Sequence, residues 1–155
     1  MIQRKKQIAV YLDGNYVFHQ AKAAGITQDF ARIERKLAER FDASVLHKRF
    51  YTRPPRDTNS GPVLGWLSAH GWQTTWLHYD HTHQDSLYVY LVSDVMADLA
   101  ENEDLEVVIV SGSGALTYPV SRMGTIPHIF TTEESGNKRL LESEFVNLHP
   151  LSEIL

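Results

Sequence analysis

Cysteine is absent from the 155 residues of this chain. That removes a disulfide frame, a thiol nucleophile and a thiolate metal site together, so any metal must rest on oxygen or imidazole ligands. No apolar run is long enough to span a bilayer, and the opening segment Met1-Ile-Gln-Arg-Lys-Lys-Gln7 lacks the apolar core of a signal peptide. A soluble, cytoplasmic protein with no membrane partner is expected. Nor is there an excess of positive charge. A formal net charge of -4 gives no general attraction to nucleic acid, although local basic patches remain available. Repeats and low-complexity tracts are missing too. A hydrophobic content of 43% and a charged content of 22% fit a globular chain rather than a disordered or fibrous one. Its length predicts one domain over 1–155, burying roughly two-thirds of the surface that the unfolded chain exposes.

What is present is an alternation of short apolar runs with helical patterns. Gln7–Leu12 reads as a buried strand, and Tyr16–Ala24 as a helix closed by Gly25. Thr27 or Asp29 is placed to cap a helix whose apolar positions Phe30, Ile33, Leu37 and Phe41 recur at helical spacing. Ser44–Tyr51 is a second strand, followed by a loop with adjacent prolines from Arg53 to Pro62. A short helix over Val63–Ala69 leads to a third strand, Trp72–His78. Trp66, Trp72 and Trp76 are expected in the packing between that helix and strand, since alternation puts Trp72 and Trp76 on one face.

Ser86–Glu101 mixes strand composition with helical continuation. One helix is predicted, because a strand lies on each side and parallel strands require a crossover. Leu105–Val110 is the fourth strand, Leu116–Arg122 a short helix, Ile126–Phe130 the fifth strand and Lys138–Glu142 the last helix. Phe145–Leu148 is a candidate final strand. The alternation predicts a three-layer α/β/α domain with a mainly parallel sheet of about five strands. Two strand ends stand out, Tyr11-Leu-Asp-Gly-Asn-Tyr16 and Val110-Ser-Gly-Ser-Gly-Ala-Leu116. Sites in open α/β sheets are built at the carboxyl ends of strands.

These segments resemble the NYN domains, a branch of the PIN-like metal-dependent nucleases that includes the LabA-like group. Tyr11-Leu-Asp-Gly-Asn-Tyr16 is similar to the family's DGxN motif, and Val110-Ser-Gly-Ser-Gly-Ala-Leu116 to its SGDxDF loop. Asp94 sits on the predicted long helix, while Gly136-Asn-Lys-Arg139 and Glu144-Phe-Val-Asn-Leu148 resemble the closing segments. The resemblance implies a PIN-like fold whose carboxylates gather Mg²⁺ or Mn²⁺ to activate water against an RNA phosphodiester, a task that suits hard cations and oxygen ligands. It assigns Asp13 and Asp94 as catalytic and metal-binding acids and Asn15 as a neighbouring polar group. The other expected acids fall on Tyr88, Ser113 and Ala115. The resemblance therefore implies a nuclease-family domain with a depleted acidic site, binding RNA or a protein partner rather than cutting. The alternative is a retained metal-dependent ribonuclease using Asp13 and Asp94 with substitute ligands.

Each candidate has a plainer structural counterpart. Asp13 could simply hydrogen-bond its own turn, and Asp94 could belong with Asp98 and Glu101 to a solvated helix face. Ser111 and Ser113, with their glycines, fit either a phosphate-cradling turn or a tight turn left after loss of acids. His81, His83 and Asp85 form an alternative metal set or a solvated connector, with Asp85 also placed to cap the next helix. Lys48, Arg49, Tyr51, Arg53 and Arg56 form a basic and aromatic cluster suited to RNA phosphates and bases, or else a charged strand edge. An assembly module, with a homodimer face supplied by Tyr88-Val-Tyr90, is a further possibility.

Overall fold

A computed structural model describes residues 5–53, 61–76 and 86–155. The elements follow in the order β1 (Gln7–Asp13), α1 (Gly14–Ala23), α2 (Phe30–Phe41), β2 (Ser44–Thr52), α3 (Gly61–Ala69), β3 (Gln73–Trp76), α4 (Ser86–Glu101), β4 (Glu106–Val110), α5 (Thr117–Ser121), β5 (His128–Thr131), α6 (Lys138–Leu141) and β6 (Asn147–Pro150). A short 3-10 turn precedes α5 at Gly114–Leu116, and another closes the chain at Leu151–Glu153.

All six strands pair in parallel, in the order β3-β2-β1-β4-β5-β6. This is the expected mainly parallel sheet of about five strands, with the candidate final strand forming its sixth member. The final strand lies two residues beyond the expected Phe145–Leu148, because its pairing with β5 runs from His128↔Asn147 to Thr131↔Pro150. The crossover requirement placed α4 correctly, and the helix spans the predicted Ser86–Glu101.

The sheet divides the interior into two apolar layers. Ile8, Val10 and Leu12 of β1 face α1, α2 and α3, meeting Val17, Ile33, Leu37 and Leu67. Ala9 and Tyr11, which alternate with them, face α4 and α5 and meet Leu87, Leu91, Val95 and Val120. Local rules mark the helix ends. The side chain of Asp29 accepts the amide of Arg32 to cap α2, and Asp42 closes that helix in a left-handed conformation at φ 45°.

The tryptophans do not share one environment. Trp72 is buried, but Trp76 is 48% exposed and Trp66 lies at the surface, stacked on His70 at 3.9 Å. The expectation of a common packing cluster fails because β3 is an edge strand of four residues.

The strand order also fixes where a cleft must open. The chain builds outward from β1 through β2 to β3, then crosses back to β4 and builds outward the other way. The crossovers after β1 and β4 therefore diverge to opposite layers, leaving a crevice between the two strand ends. Asp13 ends β1, and Ser111 follows β4.

Candidate functional site

Asp13 closes a buried strand and opens a helix in a single residue. Its Oδ1 accepts the amide of Tyr16 at 3.2 Å, capping α1. Gly14 follows because there is no room for a side chain: a Cβ there would lie 2.3 Å from the Phe50 ring and 2.8 Å from the carbonyl oxygen of Tyr51. The tight passage under β2 keeps Asp13 at the strand end, with only 2% of its surface exposed.

The other carboxylate oxygen faces hydroxyls. Oδ2 of Asp13 accepts from Tyr88 Oη at 2.8 Å and from Ser111 Oγ at 3.0 Å. Burial raises the Asp13 pKa, opposed by the hydrogen bonds from Tyr88, Tyr16 and Ser111 and by the charge of Arg53. Burial and the adjacent Asp13 carboxylate push the Tyr88 hydroxyl up to about 12, opposed by the nearby hydroxyls of Ser113 and Ser111. Tyr88 therefore remains a protonated donor at neutral pH.

Around this cluster lies a cleft of about 400 Å³, lined by Asp13, Asn15, Tyr16, His19, Arg53, Leu87, Tyr88, Ser111, Gly112, Ser113 and Ser135. Asp13 is the one carboxylate among the described residues of that lining. Asn15, exposed at the mouth, takes a hydrogen bond from Thr52 Oγ1 at 3.2 Å through its side-chain oxygen, which leaves the amide nitrogen as a donor. His19 lies one turn further along α1 and is exposed. The far wall is held by Tyr16, whose hydroxyl is 2.7 Å from Ser135 Oγ and 2.9 Å from Thr131 Oγ1.

The serine-glycine loop is packed as well as polar. A Cβ on Gly112 would lie 2.9 Å from the Ser135 carbonyl, and one on Gly114 would lie 2.6 Å from the Asn137 side chain. The amide of Asn137 also donates to the Gly112 carbonyl at 2.9 Å. These contacts tie the loop to the segment before α6.

The two acids carried over from the family resemblance have different surroundings. Asp94 accepts from Tyr51 Oη at 2.6 Å and is not among the residues lining the cleft. Burial and Asp94 together raise the pKa of Tyr51. One helical turn on, the buried Asp98 accepts Tyr11 Oη at 2.6 Å and both Nε and Nη2 of Arg49, at 2.8 and 2.6 Å. Burial alone would raise the Asp98 pKa, but the Arg49 and Tyr11 hydrogen bonds, with the charges of Arg49 and His47, bring it below the ordinary carboxylate value. Helix α4 thus meets the sheet through three tyrosine-aspartate pairs, Tyr88–Asp13, Tyr51–Asp94 and Tyr11–Asp98.

The predicted RNA-contact cluster is divided in the same way. Arg49 is held by Asp98 and also donates to Gln73, while Tyr51 is buried against Asp94. Lys48 Nζ donates to both oxygens of Glu34, at 3.1 and 3.2 Å, and to the His70 carbonyl at 2.7 Å. Arg53 lines the cleft. Arg56 lies outside the described residues, as do His81, His83 and Asp85.

The described donors do not match a divalent-ion site. Mg²⁺ requires near-octahedral oxygen ligands at about 2.0–2.1 Å. On Asp13, Oδ2 already accepts two hydroxyls and Oδ1 one amide, and Arg53 supplies a positive charge nearby. No group of three or more His, Asp or Glu side chains placed to hold a metal occurs among the described residues.

His19, Tyr16 and Ser135 were not singled out from the sequence as cleft-lining side chains. His19 had a usable signal, since it stands four residues after Asn15 on the helix opening at Asp13, and such positions share a helix face.

A parallel sheet with a cleft at its topological switch point makes this an α/β domain of a kind consistent with the PIN-like fold. The model of the NYN domain matches residues 7–143, and the chain belongs to that family. A crystal structure of a protein of unknown function from Vibrio parahaemolyticus is similar in fold, with a TM-score of 0.72 at 15% identity, covering 96% of this chain and 95% of that one. No curated protein matches the sequence. Among the described residues, no helix is long and apolar enough to cross a membrane.

Proposed function

We propose that this domain binds single-stranded RNA at the Asp13 cleft and does not cleave it. The carrying observation is the cleft's donor set. Asp13 is the lone carboxylate among the described lining residues, and hydroxyls of Tyr88, Ser111 and Ser113 surround it. Metal-assisted hydrolysis depends on enough negative field to hold a cation and lower the pKa of its water. Among the described residues the field is that of one buried, triply hydrogen-bonded carboxylate beside an arginine.

What remains is chemistry suited to an anion. Arg53 supplies charge, and Asn15, His19 and Ser113 supply polar groups at the mouth. Arginine is well matched to phosphate through paired N–H donors, and the other three can position a sugar-phosphate chain. The RNA reading concentrates on these residues because they line the cleft, whereas Lys48, Arg49 and Tyr51 are not among its lining residues.

The test pairs binding with cleavage on the same RNA. Fluorescence anisotropy with a labelled single-stranded oligonucleotide is expected to show binding that weakens with salt and with Arg53→Ala. Incubation with Mn²⁺ or Mg²⁺ is expected to leave the oligonucleotide intact. Cleavage that disappears in Asp13→Asn would overturn the non-cleaving reading, and absence of RNA binding at low salt would overturn the binding one. A homodimer or protein partner would then take precedence.

A further inference from the structure

We infer that the Asp13 cleft receives an RNA phosphate group directly, with no divalent cation between phosphate and protein. This deepens the RNA-binding reading and rests on it. The argument begins with the lone pairs of Asp13. Tyr88 and Ser111 direct O–H groups at Oδ2, from 2.8 and 3.0 Å, and the Tyr16 amide takes Oδ1. An ion bonded to Oδ2 at about 2.1 Å would meet the hydrogens already pointing there.

Charge argues the same way. Arg53 lies close enough to interact electrostatically with Asp13, so the carboxylate has its countercharge in the protein. A divalent ion added at that point would face the guanidinium with Asp13 as the one carboxylate among the described lining residues to offset its charge. An incoming phosphate instead meets an arginine, the donor end of the Asn15 amide and the hydroxyl-rich wall carrying Ser113. Repulsion from Asp13 is moderated by its three hydrogen bonds and by its burial behind Tyr88. In this arrangement Tyr88 and Ser111 hold the carboxylate in place, and Arg53 receives the ligand.

The experiment measures RNA affinity by anisotropy at matched ionic strength in MgCl₂ and in EDTA, alongside Mn²⁺ binding by water-proton relaxation. Inorganic phosphate serves as the small probe, titrated calorimetrically. The expected RNA Kd changes by less than about twofold on chelation, whereas Arg53→Ala weakens both RNA and phosphate by about tenfold or more. Arg53→Gln provides a second variant of similar size. Mn²⁺ binding that persists in Asp13→Asn places the ion outside the cleft and supports the inference. Chelation that weakens RNA by about tenfold, or saturable Mn²⁺ binding lost in Asp13→Asn, overturns it. If phosphate binds through Arg53 but RNA does not, the phosphate seat stands and the RNA reading falls. If neither ligand binds, both fall.

Discussion

The hydroxyl of Tyr88 donates to Oδ2 of Asp13 across 2.8 Å and joins the first turn of α4 to the end of the central strand. A side chain that would otherwise be an exposed aromatic on a crossover helix thus becomes part of the cleft floor. It directs an O–H donor at the buried carboxylate, which thereby keeps a fixed hydrogen-bond partner in the cleft.

Asp13 should make folding stability fall as pH rises across the acidic range. Burial sets its folded-state pKa above the unfolded value of about 3.9, so the folded protein binds the extra proton. The associated stability is present at low pH and is lost as pH rises through the folded pKa. Urea denaturation of wild type and Asp13→Asn at several pH values isolates this contribution as their difference. A difference that grows in wild type's favour with rising pH would contradict the burial argument.

Asp98 behaves oppositely. Its folded pKa is depressed, so its contribution is present above the unfolded carboxylate pKa and lost as pH falls through the folded one. Removing one partner strands the other, and Arg49→Ala or Asp98→Ala is expected to cost about 3 kcal/mol at neutral pH. Chemical denaturation measures this loss, and a change below about 1 kcal/mol would show that water replaces the missing partner.

Gly14→Ala is expected to destabilise the fold by about 2 kcal/mol or more, through overpacking. The added Cβ meets both a ring atom of Phe50 and the backbone oxygen of Tyr51, and the latter cannot move without disturbing β2. A thermal melt unchanged from wild type would mean that α1 can shift away from the sheet at little cost.

His128 and His149 predict a second pH response, on the opposite edge of the sheet. Nη2 of Arg40 lies 3.1 Å from Nδ1 of His149, and Nε2 of His149 lies 2.8 Å from Nδ1 of His128. Because arginine can only donate, His149 passes a hydrogen bond on to His128. Burial lowers both imidazole pKa values; Glu106 opposes this for His128 and Glu153 for His149, while Arg40 acts on both and Lys6 on His128 in the same direction as burial. Stability from these neutral rings is present above the unfolded histidine pKa and lost as pH falls through the folded values. His149→Phe should reduce that acid sensitivity, as followed by thermal melts at about pH 5 and 7. An unchanged pH dependence would remove the pair from the account.

The architecture was largely legible in the chain because it rests on periodicity and chain geometry. Strand-length β-branched runs alternate with helical patterns, and parallel strands need crossovers. That argument resolved Ser86–Glu101 as a helix despite its strand-like composition. The edge of the sheet was less legible, since exposure of Trp76 depends on which strand lies outermost.

Within the site, Asp13 and the serine-glycine loop could be singled out from local sequence because strand ends and glycine turns carry local signatures. The partner choices could not. Lys48, Arg49 and Tyr51 look like a basic and aromatic cluster when read along β2, but side chains alternate across a strand. Lys48 meets Glu34 on one side of the sheet, while Arg49 and Tyr51 meet Asp98 and Asp94 of α4 on the other.

The sequence by itself determined the order of strands and helices and the aspartate-glycine turn that ends the first strand at Asp13. Tertiary structure alone decided that Tyr88 would donate to Asp13, that Asp94 would turn to Tyr51, and that Arg53 would line the cleft. The physical reason is distance along the chain. Helical and strand periodicities are local, whereas these contacts join residues tens of positions apart whose meeting is fixed by strand order and by the rotation of α4 on the sheet.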